Sequence, residues 1–150
     1  MGTKAEAERI RAVRALARAS SVLERASTEL SLAHYRVLAA ISSGSAMASR
    51  IADRLALGKP AVSAAVDSLE RRGLLERLAV EGDQRAATLR LTPAGEGLLA
   101  EVEGEMTARL DDLCRRVPDR ARLLEALAWL GEAIDARVAE RQGQCVGRSR

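Results

Sequence analysis

Between Pro60 and Leu91 the apolar positions change period. Val62, Val66 and Leu69 recur at the i, i+4, i+7 spacing of one helical face, while Pro60, Ala64, Asp67, Ser68 and Arg71 project from the other. After Arg71-Arg72-Gly73 the spacing falls to two. Leu74, Leu78 and Val80 suit an inward strand face, and Ala87, Leu89 and Leu91 repeat the alternation. Glu81-Gly82-Asp83-Gln84-Arg85 separates the two runs and gives the hairpin a polar tip with a glycine. A helix with one free face, followed at once by a charged hairpin, predicts a helix-turn-helix with a wing.

The remaining pattern is helical. Thr3 with Glu6 has the form of a capping box and opens a first helix to about Ser27, with Ile10, Val13, Leu16, Ala17, Val22 and Leu23 on its apolar face. Further helices are expected from about Ala33 to Ser42, Met47 to Leu55 and Pro60 to Arg72. Two longer ones, Pro93 to about Arg116 and Pro118 to about Arg141, set Leu98, Leu99, Val102, Met106, Leu110 and Leu113 against Leu123, Leu124, Leu127, Leu130, Ile134 and Val138. Pro60, Pro93 and Pro118 each fall at an expected helix start, where the missing N–H costs little. The predicted fold is mainly α with a small β-hairpin wing: a winged helix-turn-helix at 32–92, and helical dimerisation regions at 1–30 and 93–141. Residues 142–150 read as a mobile tail. The long helices carry more apolar surface than one winged domain covers, so a homodimer is expected; a monomer closed by its own terminal helices is the alternative.

Composition narrows the function. At 150 residues the chain is long enough to bury one core, and with no Phe and only Tyr35 and Trp129 as aromatics it favours closely packed helices over a sheet-rich body. The net charge of +3 permits nucleic-acid binding without requiring it, so the position of each arginine matters more than the total. The charged N-terminus and the lack of a long apolar run predict a cytoplasmic protein with no membrane partner. Cys114 and Cys145 form neither a metal-binding pattern nor a disulfide framework, and no cofactor is expected. With one histidine, no phosphate-binding glycine loop and no nucleophile elbow, enzymatic function is not expected. Glu101, Glu103 and Glu105 read as the solvated side of a helix.

Several segments in order resemble the multiple-antibiotic-resistance regulator (MarR) family of winged-helix transcription factors. They are Leu32-Ala33-His34-Tyr35-Arg36-Val37-Leu38, Ile51-Ala52-Asp53-Arg54-Leu55, Ala61-Val62-Ser63, Asp67-Ser68-Leu69-Glu70-Arg71-Arg72-Gly73-Leu74, Asp83-x-Arg85 and Leu91-Thr92-Pro93-Ala94-Gly95. The ordered set covers roughly sixty-five residues at consistent spacing. The resemblance implies a dimeric transcriptional regulator, most often a repressor, that places two recognition helices in successive major grooves of a roughly palindromic duplex.

On the recognition helix Ser63, Asp67, Ser68 and Arg71 are the polar candidates for the groove, and Ala61 and Ala64 suit thymine methyls. Lys59 and Arg72 sit at its ends, toward phosphates. Arg85 takes the place of the family's minor-groove wing arginine, with Asp83 orienting it. Arg77 and Arg90 are expected on the outer hairpin face, contacting DNA backbone or keeping the wing soluble. Ala64 stands where many members have a longer polar side chain, and Gly58-Lys59 replaces the usual Ser-Pro entry, so direct base readout is sparse. The resemblance also implies release by a small aromatic or phenolic anion, for which Arg14, Arg18, His34, Tyr35, Arg36, Met47 and Met106 are the candidate contacts. Two alternatives stand beside it. One is redox response through Cys145, flanked by Arg141, Arg148 and Arg150; the other is a non-specific architectural or protein-interaction module.

Overall fold

A computed structural model describes the backbone of residues 3–80 and 83–147, and their side chains except at 80, 83–86, 142 and 144–147. The element order is α1 (Lys4–Glu24), α2 (Leu32–Ser42), α3 (Ala48–Leu55), α4 (Lys59–Arg71), β1 (Leu75–Val80), β2 (Asp83–Leu91), α5 (Pro93–Cys114) and α6 (Arg120–Gly147). Among the described residues the fold is therefore helical apart from one antiparallel hairpin.

Local chemistry sets these boundaries. The side chains of Thr3, Ser31 and Thr92 each accept a hydrogen bond from the backbone N–H three residues on, closing the starts of α1, α2 and α5. α4 ends where Gly73 adopts φ +71°, so that Leu74 N–H donates to Leu69 O and the chain turns into β1. The core gathers Val37, Leu38 and Ile41 of α2, Ile51 of α3, Val62, Val66 and Leu69 of α4, Leu75, Leu89 and Leu91 of the hairpin, and Leu99, Val102 and Met106 of α5. Full burial of a side chain such as Leu38 or Leu69 stabilises the fold by about 1.5–3 kcal/mol.

The hairpin corrects the sequence reading by one residue. Leu75 pairs with Leu91, Arg77 with Leu89 and Ala79 with Ala87, so Leu75, Arg77 and Ala79 share the inner face. Leu74 is buried in the turn before the strand and does not start the alternation, whereas Leu78, expected inside, lies on the exposed face opposite Thr88. A shift of one residue exchanges the two faces of a strand, and counting from Leu74 instead of Leu75 produced that exchange.

The ends of the chain differ from expectation in three respects. α6 begins at Arg120, not Pro118, and Asp119 Oδ1 accepts from Arg122 N–H in the capping position. It also continues past Arg141 to Gly147, so much of the expected tail is helix. The third difference concerns the apolar sides of α5 and α6, which do not close on each other. Leu99, Val102 and Met106 of α5 join the core beside α2, while Leu124, Leu127, Leu130 and Ile134 of α6 stay exposed.

Candidate nucleic-acid interface

Helix α4 buries Val62, Ala65, Val66 and Leu69 and leaves Lys59, Ala61, Ser63, Ala64, Asp67 and Arg71 exposed, with Ser68 half-buried between them. The free face therefore holds small and polar side chains on a helix fixed from behind. α3 packs against α4, and the turn joining them passes through Ala56 in the left-handed region at φ +50°. Leu57 N–H donates to Ala52 O across this turn. The connection between α2 and α3 is tied to the hairpin, since Leu89 N–H donates to Ala46 O at 2.6 Å.

Arg77 is placed differently from its expected position on the outer hairpin face. From the inner face of β1 its guanidinium donates to Asp67 and Glu70 of α4 and bridges the wing to the recognition helix. The Asp67 hydrogen bond is the main cause of an upward shift in the Arg77 pKa, so the guanidinium stays charged between the two carboxylates. Asp67 would repel phosphate if unpaired; the guanidinium of Arg77, shared with Glu70, offsets part of that charge on the face that carries Ser63 and Ala64. The correct register, Leu75-x-Arg77-x-Ala79, was the sequence signal for this bridge. These groups are partly exposed, so a double-mutant cycle of Arg77→Ala and Asp67→Ala is expected to give a coupling of only about 0.2–1 kcal/mol in stability. DNA affinity is expected to fall more in Arg77→Ala than in the double variant, because the single change leaves Asp67 uncompensated.

Other expected contacts are distributed unevenly. Arg72 donates to Glu29 O at 2.9 Å, which fastens the end of α4 to the segment before α2 and engages a guanidinium expected on phosphate. Arg90 pairs with Glu76 on the outer hairpin face at 2.6 Å. The side chains of Asp83 and Arg85 lie outside the described residues, as does that of Cys145; Cys114 is buried.

The seven residues expected around an effector are not gathered into one cleft. Met106 is in the core, and Arg14 and Arg18 lie along an open side of α1. Met47 borders a cavity of about 260 Å³ with Ser63, Arg77 and Leu89. Arg36 is exposed, and Tyr35 is half-buried with its pKa raised by burial and by the charge of Glu103.

His34, also half-buried, has its pKa lowered, first by burial and then by the Arg72 charge. The folded state then binds fewer protons than the unfolded chain below the ordinary value of 6.5. The corresponding stability is fully present above that pH and is lost as pH falls through the folded pKa. Thermal melts are expected to show this acid-side loss, and His34→Gln to reduce its slope.

Three helices with a turn between α3 and α4, an exposed α4 face and an adjoining antiparallel hairpin define a winged helix-turn-helix. Residues 28–86 match the family model described as MarR family. Among solved structures, the transcriptional repressor CouR bound to a 23-mer DNA duplex is 25% identical, with 82% of this chain and 89% of that chain covered and a TM-score of 0.71. The transcriptional regulator BldR from Sulfolobus solfataricus is 23% identical over 88% and 99% of the two chains, TM-score 0.70. Wild-type apo MarR from E. coli is 18% identical over 83% and 94%, TM-score 0.68. A search of curated protein sequences returns no match. The family match spans the winged helix-turn-helix region, and the chain as a whole shares the fold of these transcription regulators.

Proposed function

We propose that the protein is a cytoplasmic homodimer that binds a roughly palindromic operator sequence-specifically and represses transcription until a small-molecule effector releases it. The observation that carries this reading is the free polar face of α4 beside the hairpin. Lys59, Ala61, Ser63, Ala64, Ser68 and Arg71 supply the groove contacts, with Arg85 and Asp83 acting from the wing tip. Two-fold pairing would set the recognition helices about 34 Å apart, one turn of DNA. The exposed apolar side chains of α1 and α6 supply the dimer surface, among them Val13 at 65% exposure and Trp129 at 58%. Among the described residues no helix is long and apolar enough to cross a membrane. The likeness to CouR, a transcriptional repressor bound to a 23-mer DNA duplex, supports both the partner and the sign of regulation. Among the described residues, the seven candidate contacts for an aromatic or phenolic anion are spread over separate parts of the protomer.

The test is Arg85→Ala, read by fluorescence anisotropy on duplex DNA and by analytical ultracentrifugation. DNA binding is expected to weaken by about tenfold or more while the dimer persists, since loss of one charged contact is worth about 1.5–3 kcal/mol. Unchanged affinity would remove the wing from the interface.

A further inference from the structure

Past its midpoint α6 approaches the winged domain beside α3. Beyond Leu123, Val138 is the one residue of α6 that is not fully exposed, among those whose side chains are described. There α6 passes α3 and the connection before it, bordering an open cleft of about 290 Å³. One wall carries Arg50 and Arg54, one turn apart on the same side of α3, with Ser45 beside them. The opposite wall carries Asp135, Val138 and Ala139 of α6.

The charges in this cleft are opposed but not joined. Among the described residues, none of the ion pairs involves Arg50, Arg54 or Asp135. Arg54 Nη1 instead donates to Ser45 Oγ at 3.3 Å, which orients its guanidinium. Two guanidiniums on one side and a carboxylate on the other, held apart by a cleft, are complementary to a molecule with a negative end and a positive end. Arginine's planar fork matches a carboxylate, and an aspartate matches an ammonium group. Val138 and Ala139 add a short apolar wall, and the volume sits near the small end of the roughly 300–1,000 Å³ usual for ligand sites. A plain anion would use the arginines but face Asp135 unfavourably; a plain amine would do the reverse.

We infer that the α3–α6 cleft binds a small aliphatic α-amino acid, its carboxylate on Arg50 and Arg54 and its ammonium on Asp135. The regulatory consequence rests on the function proposed above, whereas the binding itself does not. α3 packs directly on α4, and α6 carries the exposed apolar face assigned to the dimer. An occupant between them sets how the recognition helix sits relative to the partner protomer, as a ligand with different affinity for two arrangements would.

The test is calorimetric titration of the full chain, without DNA, with glycine, L-alanine, L-valine and L-leucine. Isovalerate and isobutylamine serve as the L-valine skeleton without its amine or its carboxylate. Saturable binding of at least one amino acid is expected, with both truncated probes weaker than L-valine by about tenfold or more. Arg50→Gln and Arg54→Gln are each expected to weaken amino-acid binding about tenfold. Asp135→Asn should weaken amino-acid binding similarly while leaving isovalerate unchanged or tighter, a crossover that a merely structural role would not produce. Absence of saturable binding by all four amino acids would overturn the inference. So would isovalerate binding as tightly as L-valine, or affinities indifferent to all three substitutions in variants whose circular dichroism matches the parent. A protein that binds amino acid yet no operator would keep the site and discard the regulator.

Discussion

Gly95→Ala is expected to destabilise the protein by about 3 kcal/mol or more, lowering the melting temperature by roughly 10 °C. A Cβ at this position would lie 1.9 Å from Leu74 O and 2.9 Å from Leu74 C, and backbone atoms cannot turn aside as a flexible side chain could. The contact sits within a knot of hydrogen bonds. Thr92 Oγ1 donates to Gly73 O at 2.6 Å and accepts from Gly95 N–H at 3.1 Å, while Thr92 N–H donates to Leu74 O at 3.2 Å. The start of α5 is thereby locked against the exit of α4, and any Cβ must pry the two apart. Gly97→Ala is the control on the same helix. Nothing lies within 4 Å of where its Cβ would stand, so it should raise stability by about 0.5–1 kcal/mol through helix propensity alone. Differential scanning calorimetry reads both changes, and a Gly95→Ala protein as stable as the parent would refute the close approach.

Replacing Leu130 and Ile134 together by Glu is expected to dissociate the proposed dimer and to weaken operator binding by about a hundredfold or more. The two side chains occupy one face of α6 a turn apart and are 39% and 53% exposed in the single chain. Since they contribute little to the protomer's own core, the variant should fold, with circular dichroism close to the parent. The DNA loss follows from separating two half-site contacts that the dimer joins, for which linkage supplies a factor of 10²–10⁴ at its usual range, roughly. Sedimentation equilibrium checks the assembly and anisotropy the affinity. A variant that stays dimeric would place the interface elsewhere.

The sequence showed the helices and the free face of α4 because Val62, Val66 and Leu69 repeat cleanly, and all three are buried. Thr92, Pro93 and Gly95 marked the entry to α5 for the same reason: caps and close approaches require particular residues. The hairpin register was harder. Leu74 and Leu75 are adjacent and both buried, so the alternation could be counted from either, and only the pairing of Leu75 with Leu91 decides it. That one-residue ambiguity concealed the bridge from Arg77 to Asp67 and Glu70. The tie from Arg72 to Glu29 O was not legible, because its partner is a backbone atom 43 residues away, which no local pattern encodes. The separation of α5 from α6 was also invisible, since an apolar helix face looks alike whether it meets its own chain or another.

The most direct test of the central claim is anisotropy titration of the protein against duplex DNA from upstream of its own gene and against a scrambled duplex of equal length, across a salt series. The account predicts tight binding to the upstream duplex, stronger than to the scrambled one by about 10³ or more at moderate salt. Equal affinity for both, falling together as salt rises, would contradict it.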